Sequence, residues 1–160
     1  MNKTEFRCAN ENDVALILDF IKRLAEYEKM SDQVVATEAL LREWIFEKQK
    51  AEVIFALDNG KEVGIALFCY NFSTFLGRAG IYLEDLFVFP AYRGRGHGKA
   101  LMCELARIVV ERKCGRLEWC CLDWNQPSID FYTSLGAQAL SDWTIYRLTG
   151  DKLLKVANDK

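Results

Sequence analysis

Apolar residues recur along the chain at two spacings, and the change from one spacing to the other outlines a protein of mixed helices and strands. A short strand is predicted around Phe6, and Asn10 is a candidate helix N-cap with Asp13 three residues later. One face of the helix that follows carries Val14, Ile17, Leu18, Ile21, Leu24 and Ala25 at helical spacing. Thr37 is a candidate cap for a second helix, which carries Leu40, Leu41, Trp44 and Ile45.

Strand patterns dominate the middle of the chain. Residues 53–57 and 63–70 are predicted strands, joined at Asp58-Asn59-Gly60, which is a strong hairpin signal. A loop at residues 73–78 precedes a third apolar strand at 81–88. The pattern then predicts a helix with Leu101, Met102, Leu105, Ile108 and Val109 on its buried face, ending near Gly115. A strand at 117–122, a helix at 127–135 and final strands within 137–148 complete the prediction.

This order of elements predicts the fold class. Antiparallel strands come first, and alternating strands and helices follow, so we expect an α/β (α+β) fold with a mixed central sheet and helices on both faces. The chain has 160 residues, the size of one domain, and contains no repeat or Pro/Gly-rich linker. We therefore predict a single domain over residues 1–160.

Composition limits the classes of partner. A hydrophobic share of 51% with 28% charged residues is typical of a globular protein. The net charge of −2 argues against nucleic acid as the main partner and suits cationic small molecules better. No apolar run approaches the roughly 20 residues of a membrane span, and the N-terminus leads into no signal-type segment. We expect a cytoplasmic protein that does not interact with membranes.

The cysteines and the histidine indicate no metal site. The six cysteines form no Cys-x-x-Cys pair, and the one histidine lies in a glycine-rich segment. A zinc site needs clustered Cys and His ligands, so we expect no metal cofactor. Reduced thiols within the core are the favoured interpretation, and a catalytic cysteine is the alternative.

A glycine-rich turn between a strand and a helix is the most informative feature. The segment Val88-Phe-Pro-Ala-Tyr-Arg-Gly-Arg-Gly-His-Gly98 exposes backbone N–H groups beside a helix N-terminus, which together favour a pyrophosphate. Its spacing fits neither a Walker loop nor a dinucleotide fingerprint. It resembles instead the acyl-CoA pyrophosphate loop of the GNAT superfamily of N-acetyltransferases, whose fold has the same order of elements. An ordinary glycine-rich turn is the alternative.

Two carboxylates, Glu84 and Asp85, interrupt the apolar strand that leads into this turn. A half-buried carboxylate tends to have a raised pKa, which suits a general base near neutral pH. Adjacent strand residues point to opposite faces, so only one would face a given pocket unless a bulge relaxes the alternation. A solvated face or a structural ion pair is the alternative interpretation.

Tyr132 is the candidate proton donor. It lies on the predicted helix after Asn125, a candidate cap, and Pro127, which suits a first helical turn. A phenol with a pKa near 10 can protonate a departing thiolate. The alternative is an amphipathic tyrosine of the core.

Four segments together resemble one family within the superfamily. Tyr27-Glu28, Tyr82-Leu-Glu-Asp85, Tyr92-Arg-Gly-x-Gly-x-Gly98 and Trp124-Asn-x-Pro-Ser-Ile-x-Phe-Tyr132 are similar to segments of the spermidine/spermine (diamine) and thialysine N-acetyltransferases. The resemblance implies acetyl-CoA as co-substrate, a homodimer, and catalytic roles for Glu84 and Tyr132. It assigns CoA binding to Leu86, Phe87, Val88, Arg93, Gly94, Arg95, Gly96, His97, Gly98, Lys99, Asn125, Ser128 and Tyr132. It assigns the amine to Tyr27, Glu28, Glu84, Asp85, Glu118, Trp119, Cys120 and Trp143.

Two further segments bear on the choice of amine. Only Asp142 is acidic within residues 140–148, and an aromatic wall from Trp143 would favour a shorter or less charged amine; a packed strand tryptophan is the alternative. Alternation on a strand would turn Trp119 away from Glu118 and Cys120.

The sequence therefore predicts acetyl transfer from acetyl-CoA to a primary amine of a small cationic metabolite, such as a diamine, a polyamine or a lysine- or ornithine-like molecule. Acetylation of a protein or peptide is one alternative, and a CoA-binding module without catalysis is another. The sequence does not identify the amine.

Overall fold

The computed structural model describes residues 4–159, which divide into two compact units. The first unit ends at Cys120 and the second begins at Cys121. Whether the whole chain behaves as the single domain predicted above stays a prediction. No helix within residues 4–159 combines the length and the apolar character needed to cross a bilayer.

A five-stranded sheet organises the first unit. Its elements are β1 (Glu5–Cys8), α1 (Val14–Tyr27), α2 (Glu38–Leu41), β2 (Glu52–Asp58), β3 (Lys61–Ser73), β4 (Arg78–Val88), α3 (His97–Glu111) and β5 (Leu117–Trp119). The strands lie in the order β1-β2-β3-β4-β5. The first four pair antiparallel, and β5 pairs parallel with β4. The predicted mixed sheet is confirmed, although β4 starts earlier and β5 ends earlier than the sequence indicated.

The helix caps predicted from the sequence are present in the structure. The side chain of Asn10 accepts a hydrogen bond from the amide of Asn12 at 3.0 Å, and the Asp13 carboxylate accepts one from the Asn10 amide at 2.8 Å. Thr37 caps α2 by accepting from the Leu40 amide. A π-helical turn (Arg42–Glu47) continues α2. These side chains satisfy backbone donors that a helix start leaves unpaired, so the predicted helix starts are confirmed.

The β2–β3 hairpin turns at Asn59 and Gly60, with φ of 51° and 79°. Two consecutive positive φ angles match the right-handed twist of the strands, and asparagine followed by glycine adopts them at little cost. The predicted hairpin is confirmed. Its turn places the carboxylate of Asp58 at one end of the sheet.

Helices cover both faces of the sheet. On one face α1 buries Ile17 and Phe20 against Phe55 and Phe87, in a cluster where the Phe20 and Phe55 rings lie 5.8 Å apart. On the other face α3 packs closely on β3, because a Cβ at Gly64 would lie 3.1 Å from Leu101 Cδ1. The two-sided arrangement predicted from the sequence is confirmed. Phe20, which is fully buried, was missed by the apolar pattern.

The second unit contains two helices, α4 (Gln126–Ser134) and α5 (Gly150–Asn158). The prediction of strands within 137–148 was wrong, because residues 137–149 form neither strand nor helix. A strand needs a neighbouring strand to pair with its backbone. Instead, the apolar side chains of this segment are exposed, including Leu140, Trp143, Ile145 and Tyr146.

Candidate active site

A β-bulge at Glu84 interrupts the pairing of β4 with β3. Asp85 pairs with Leu67 and Leu83 pairs with Phe68, which leaves Glu84 between them without a partner on β3. Leu67 and Phe68 are adjacent and point to opposite faces, so Leu83 and Asp85 do as well. The bulge therefore brings Asp85 onto the face that Phe87 shares with α1.

Three carboxylates gather on this face, and we refer to Glu28, Glu84 and Asp85 as the acidic cluster. Burial, with the neighbouring charges of Glu84 and Glu28, raises the pKa of Asp85 to about 6. Burial also raises the pKa of Glu28. No ion pair found among residues 4–159 includes a member of the cluster. The cluster is therefore a partly buried concentration of negative charge.

A phenol and two thiols surround the cluster. The hydroxyl of Tyr82 donates a hydrogen bond to Cys120 Sγ at 3.1 Å, and this bond raises the pKa of Tyr82 above its usual range. Burial raises the pKa of the Cys69 thiol, and the charge of Glu84 adds to the effect. Sequence analysis did not assign Tyr82 or Cys69 to the site. The position of Tyr82 on the strand, two residues before Glu84, is the feature of the sequence that could have indicated its place in the site.

The side chains of β5 alternate as predicted. Glu118 pairs with Tyr82 across the sheet, and its carboxylate accepts from Asn71 Nδ2 at 2.9 Å and lies 3.0 Å from Arg116 Nε. Cys120 meets Tyr82, whereas Trp119 pairs with Leu83. Glu118 is thus neutralised by its neighbours, unlike the acidic cluster. Within residues 4–159, no three His, Cys, Asp or Glu side chains are placed to hold a metal ion together.

One edge of β4 lacks a strand partner beyond the bulge. β5 pairs only with residues 81–83 of β4, so in the described part of the chain no strand covers that edge of residues 84–88. Backbone groups of Leu86, Phe87 and Val88, predicted to contact CoA, lie along this stretch. The carbonyl of Val88 already accepts a hydrogen bond from Arg93 Nε at 2.9 Å.

The glycine loop, residues 93–99, has the conformation that an anion site needs. Gly94 and Gly96 have φ of 74° and 90°, which residues with a Cβ rarely adopt, and a Cβ at either would meet nothing within 4 Å. α3 begins at His97, so its first amides, including those of Gly98 and Lys99, lack helical acceptors. The backbone is therefore open to a ligand, with the positive end of a 15-residue helix beside it.

The side chains of the loop point in different directions. The Arg93 guanidinium lies over the rings of Tyr27 and Phe87, at 4.9 and 5.1 Å. His97 is buried, so its side chain is not accessible to a ligand there. Arg95 and Lys99 are exposed. The open glycines, the helix start and these two cations fit the diphosphate of acetyl-CoA.

A cleft of about 660 Å³ lies beside the loop in the first unit. Its walls are Leu16, Asp19, Arg23, Glu26, Tyr27, Lys61, Glu62, Phe87, Phe89, Pro90 and Arg93. The acidic cluster is not part of its lining. Tyr27 lines the cleft and is followed by Glu28 of the cluster, so the end of α1 contributes to both.

Four predicted site residues belong to the second unit. The side chain of Asn125 caps α4 by accepting from the amide of Ser128 at 3.4 Å. Tyr132 is half-buried on α4, with its ring 5.2 Å from that of Phe131. Trp143 is 78% exposed, so it is not the packed strand tryptophan that formed the alternative. Their part in binding or catalysis stays a prediction.

Known proteins are similar to this chain in sequence. Residues 18–137 match the Acetyltransferase (GNAT) family. A thialysine N-epsilon-acetyltransferase from Bos taurus is 37% identical over 94% of this chain and 95% of its own length. An L-ornithine N5-acetyltransferase from Arabidopsis thaliana is 30% identical over 94% of this chain and 86% of its own length.

A solved structure extends the likeness to three dimensions. An integron cassette protein from the mobile metagenome of V. cholerae superimposes with a TM-score of 0.81 at 29% identity, covering 99% of this chain and 100% of its own. Sequence and fold thus agree over nearly the whole chain. The chain belongs to the GNAT family of acetyltransferases.

Proposed function

We propose that this enzyme transfers the acetyl group of acetyl-CoA to a primary amine of a small cationic metabolite. The observation that carries the proposal is the course of β4, which holds Glu84 and Asp85 of the acidic cluster at its bulge and then leads into the glycine loop. One element thus joins a cation-attracting face to an anion-binding turn. The names of the thialysine and ornithine acetyltransferases support an amine of the lysine or ornithine type, and a diamine or polyamine has the same charged end.

The donor side of the proposal uses the loop and the free strand edge. The amides from Gly94 to Lys99, with Arg95 and Lys99, bind the diphosphate. Backbone groups between Leu86 and Val88 hold the pantetheine arm, and Asn125 and Ser128 add contacts. Acetyl-CoA supplies an activated thioester carbonyl, and the Val88 amide polarises that carbonyl.

The acceptor side must remove a proton. An alkyl ammonium has a pKa near 10.4, so well under 1% is free base at pH 7. The acidic cluster attracts the ammonium, and the ring of Tyr27, one face of which carries the Arg93 guanidinium, lies next to Glu28 in sequence. Burial and the neighbouring carboxylates raise the pKa of Asp85 to about 6, which suits a general base near neutral pH. We assign proton acceptance to Asp85 together with the exposed Glu84, the latter through water.

The chemical step then balances. The amine nitrogen, having given its proton to the carboxylates, attacks the thioester carbonyl and forms the new C–N bond. The C–S bond breaks, Tyr132 gives its phenolic proton to the departing thiolate, and the acylated nitrogen releases its second proton to water. The products are the N-acetylated amine and free CoA, and Tyr132 regains a proton from solvent.

A panel assay tests the function. Purified enzyme is incubated with acetyl-CoA and diamines, polyamines, ornithine, lysine analogues or peptides, and products are identified by mass spectrometry. We expect acetylation of a small amine, strongly reduced in the Glu84→Gln/Asp85→Asn double variant. Acetylation confined to peptides would favour a protein acetyltransferase, and CoA binding without any product would favour a binding module.

We also propose that the protein is a homodimer, as the resemblance to the diamine acetyltransferases implies. Exposed apolar side chains in the second unit support this, among them Leu140, Ile145, Tyr146 and Leu154. Such a concentration of apolar surface is typical of an interface. Light scattering coupled to gel filtration measures the mass, and a monomer at micromolar concentration would overturn the assignment.

A further inference from the structure

We propose that Asp58 is a positioning residue for the glycine loop, one that holds Arg95 and His97 in the arrangement that receives a diphosphate. This inference rests on the proposed binding of acetyl-CoA by residues 93–99. Asp58 ends β2, far from the loop in sequence, and no motif points to it.

One carboxylate oxygen of Asp58 lies near two residues of the loop. Its Oδ2 lies 3.3 Å from Arg95 Nη1 and 3.7 Å from His97 Nε2, while Oδ1 accepts from Asn59 Nδ2 at 2.9 Å. The side chains of Asp58 and His97 are only 15% and 7% exposed, whereas that of Arg95 is 57% exposed. Asp58 and His97 are therefore mostly buried, whereas the guanidinium of Arg95 is at the surface.

The neighbours of its two nitrogens, Thr4 and Asp58, fix the orientation of the His97 ring. Nδ1 lies 3.1 Å from the Thr4 hydroxyl oxygen, and Nε2 is buried without a hydrogen-bond partner within residues 4–159. One tautomer fits: Thr4 donates to Nδ1, and the Nε2–H points at Asp58. A buried N–H without an acceptor is unfavourable, so the Nε2–H of His97 is attracted to the Asp58 carboxylate, 3.7 Å away.

The loop depends on such anchors because packing does not fix its glycines. Nothing lies within 4 Å of a Cβ at Gly94 or Gly96, and glycine loses more conformational freedom than other residues when it is ordered. Arg93 holds one end through Val88, and Asp58 holds Arg95 and His97. Amides that are already ordered bind a diphosphate without that entropic penalty.

Charge alone predicts the opposite effect of removing Asp58. A carboxylate beside an anion site repels the anion, so a purely electrostatic role means that Asp58→Asn binds CoA more tightly. A positioning role means weaker binding of the diphosphate and no effect on ligands that lack it. The sign of the change therefore separates the two roles.

The experiment compares donors with and without the diphosphate. For Asp58→Asn, we expect the calorimetric Kd of CoA and the KM of acetyl-CoA to rise about tenfold, the change expected for a lost charge-assisted hydrogen bond. With S-acetylpantetheine, and with the amine that the wild type acetylates fastest, KM and kcat stay within about twofold. Tighter CoA binding, unchanged CoA binding, or equal losses with both donors would overturn the proposal.

Further variants show whether Asp58 acts through the loop residues. In the Arg95→Gln/His97→Leu background, Asp58→Asn should have no further effect on CoA binding; additive losses would refute the assignment. Asp32→Asn, in the exposed turn Ser31–Gln33, is the matched control and should bind CoA like the wild type. Should Asp58→Asn fold poorly by thermal unfolding, His97→Leu alone gives the comparison between the two donors. A wild type that does not bind CoA would refute the proposed function itself.

Discussion

Replacing Asp85 by asparagine should make the protein more stable and less active. Burial and the charges of Glu84 and Glu28 raise the pKa of Asp85 from its usual 3.8 to about 6. The folded state therefore holds this proton more tightly than the unfolded state does, and stability falls as pH rises from about 3.8 to about 6. Above that range the folded protein carries the full penalty of a buried charge, and asparagine removes it.

The size of the effect follows from the shift. At about 1.36 kcal/mol per pKa unit, the penalty reaches about 3 kcal/mol near pH 7.5 and falls to about 0.5 kcal/mol at pH 4. Asp85→Asn should therefore raise the free energy of unfolding by about 3 kcal/mol at pH 7.5 and by little at pH 4. In a protein of this size the gain corresponds to a rise in Tm of about 6–12 °C.

Urea unfolding followed by far-UV circular dichroism, at both pH values, measures the difference. Activity assays on the same samples should show a loss of kcat/KM of about 100-fold, the usual contribution of general-base catalysis. Asp32→Asn, an exposed change, should alter stability by less than about 0.5 kcal/mol at either pH. A gain of equal size at both pH values, or a loss at pH 7.5, would refute the argument from burial.

Three other predictions follow from the site. The acidic limb of the wild-type profile of kcat/KM against pH should lie near pH 6, because the pKa of Asp85 is about 6. Glu84→Gln should move this limb to lower pH because it removes a charge that repels the Asp85 carboxylate. A limb that does not move would contradict the electrostatic interaction between Glu84 and Asp85. Gly96→Ala should raise the KM for acetyl-CoA at least fivefold and destabilise the protein by about 1 kcal/mol, because φ there is 90°; normal kinetics would show that the loop conformation does not matter. Tyr132→Phe should lower kcat at least tenfold with little change in the Kd of CoA measured by calorimetry; unchanged turnover counts against the proton donor.

Features set by neighbouring residues were predictable from the sequence. The caps at Asn10 and Thr37 and the turn at Asn59-Gly60 depend on bonds within a few residues, and all three are present. Strands within 137–148 failed because a strand exists only where another strand pairs with it, and that partner is not given by local sequence. The burial of Phe20 likewise depends on Phe55 and Phe87, which meet it only in the folded sheet.

The sequence identified candidate site residues but not the geometry that brings them together. Glu84 and Asp85 were identified as candidates, yet alternation alone would have placed them on opposite faces. The bulge depends on the register between β3 and β4, a long-range property, and it gives Asp85 its burial and its charged neighbours. Asp58 was missed as a functional residue because its contacts to Arg95 and His97 join two turns that are distant in sequence.

The bulge also accounts for the two roles that the proposed function gives to β4. β4 loses its parallel partner after Leu83, and the extra residue, Glu84, follows at once. The interruption leaves backbone groups of residues 84–88 open on one edge, while the bulge turns Asp85 toward the face of α1. A regular strand at this position would bury an apolar side chain and pair both of its edges. The irregularity therefore costs ladder hydrogen bonds and the burial of a charge, and in return it provides a base and an open backbone within two residues of each other.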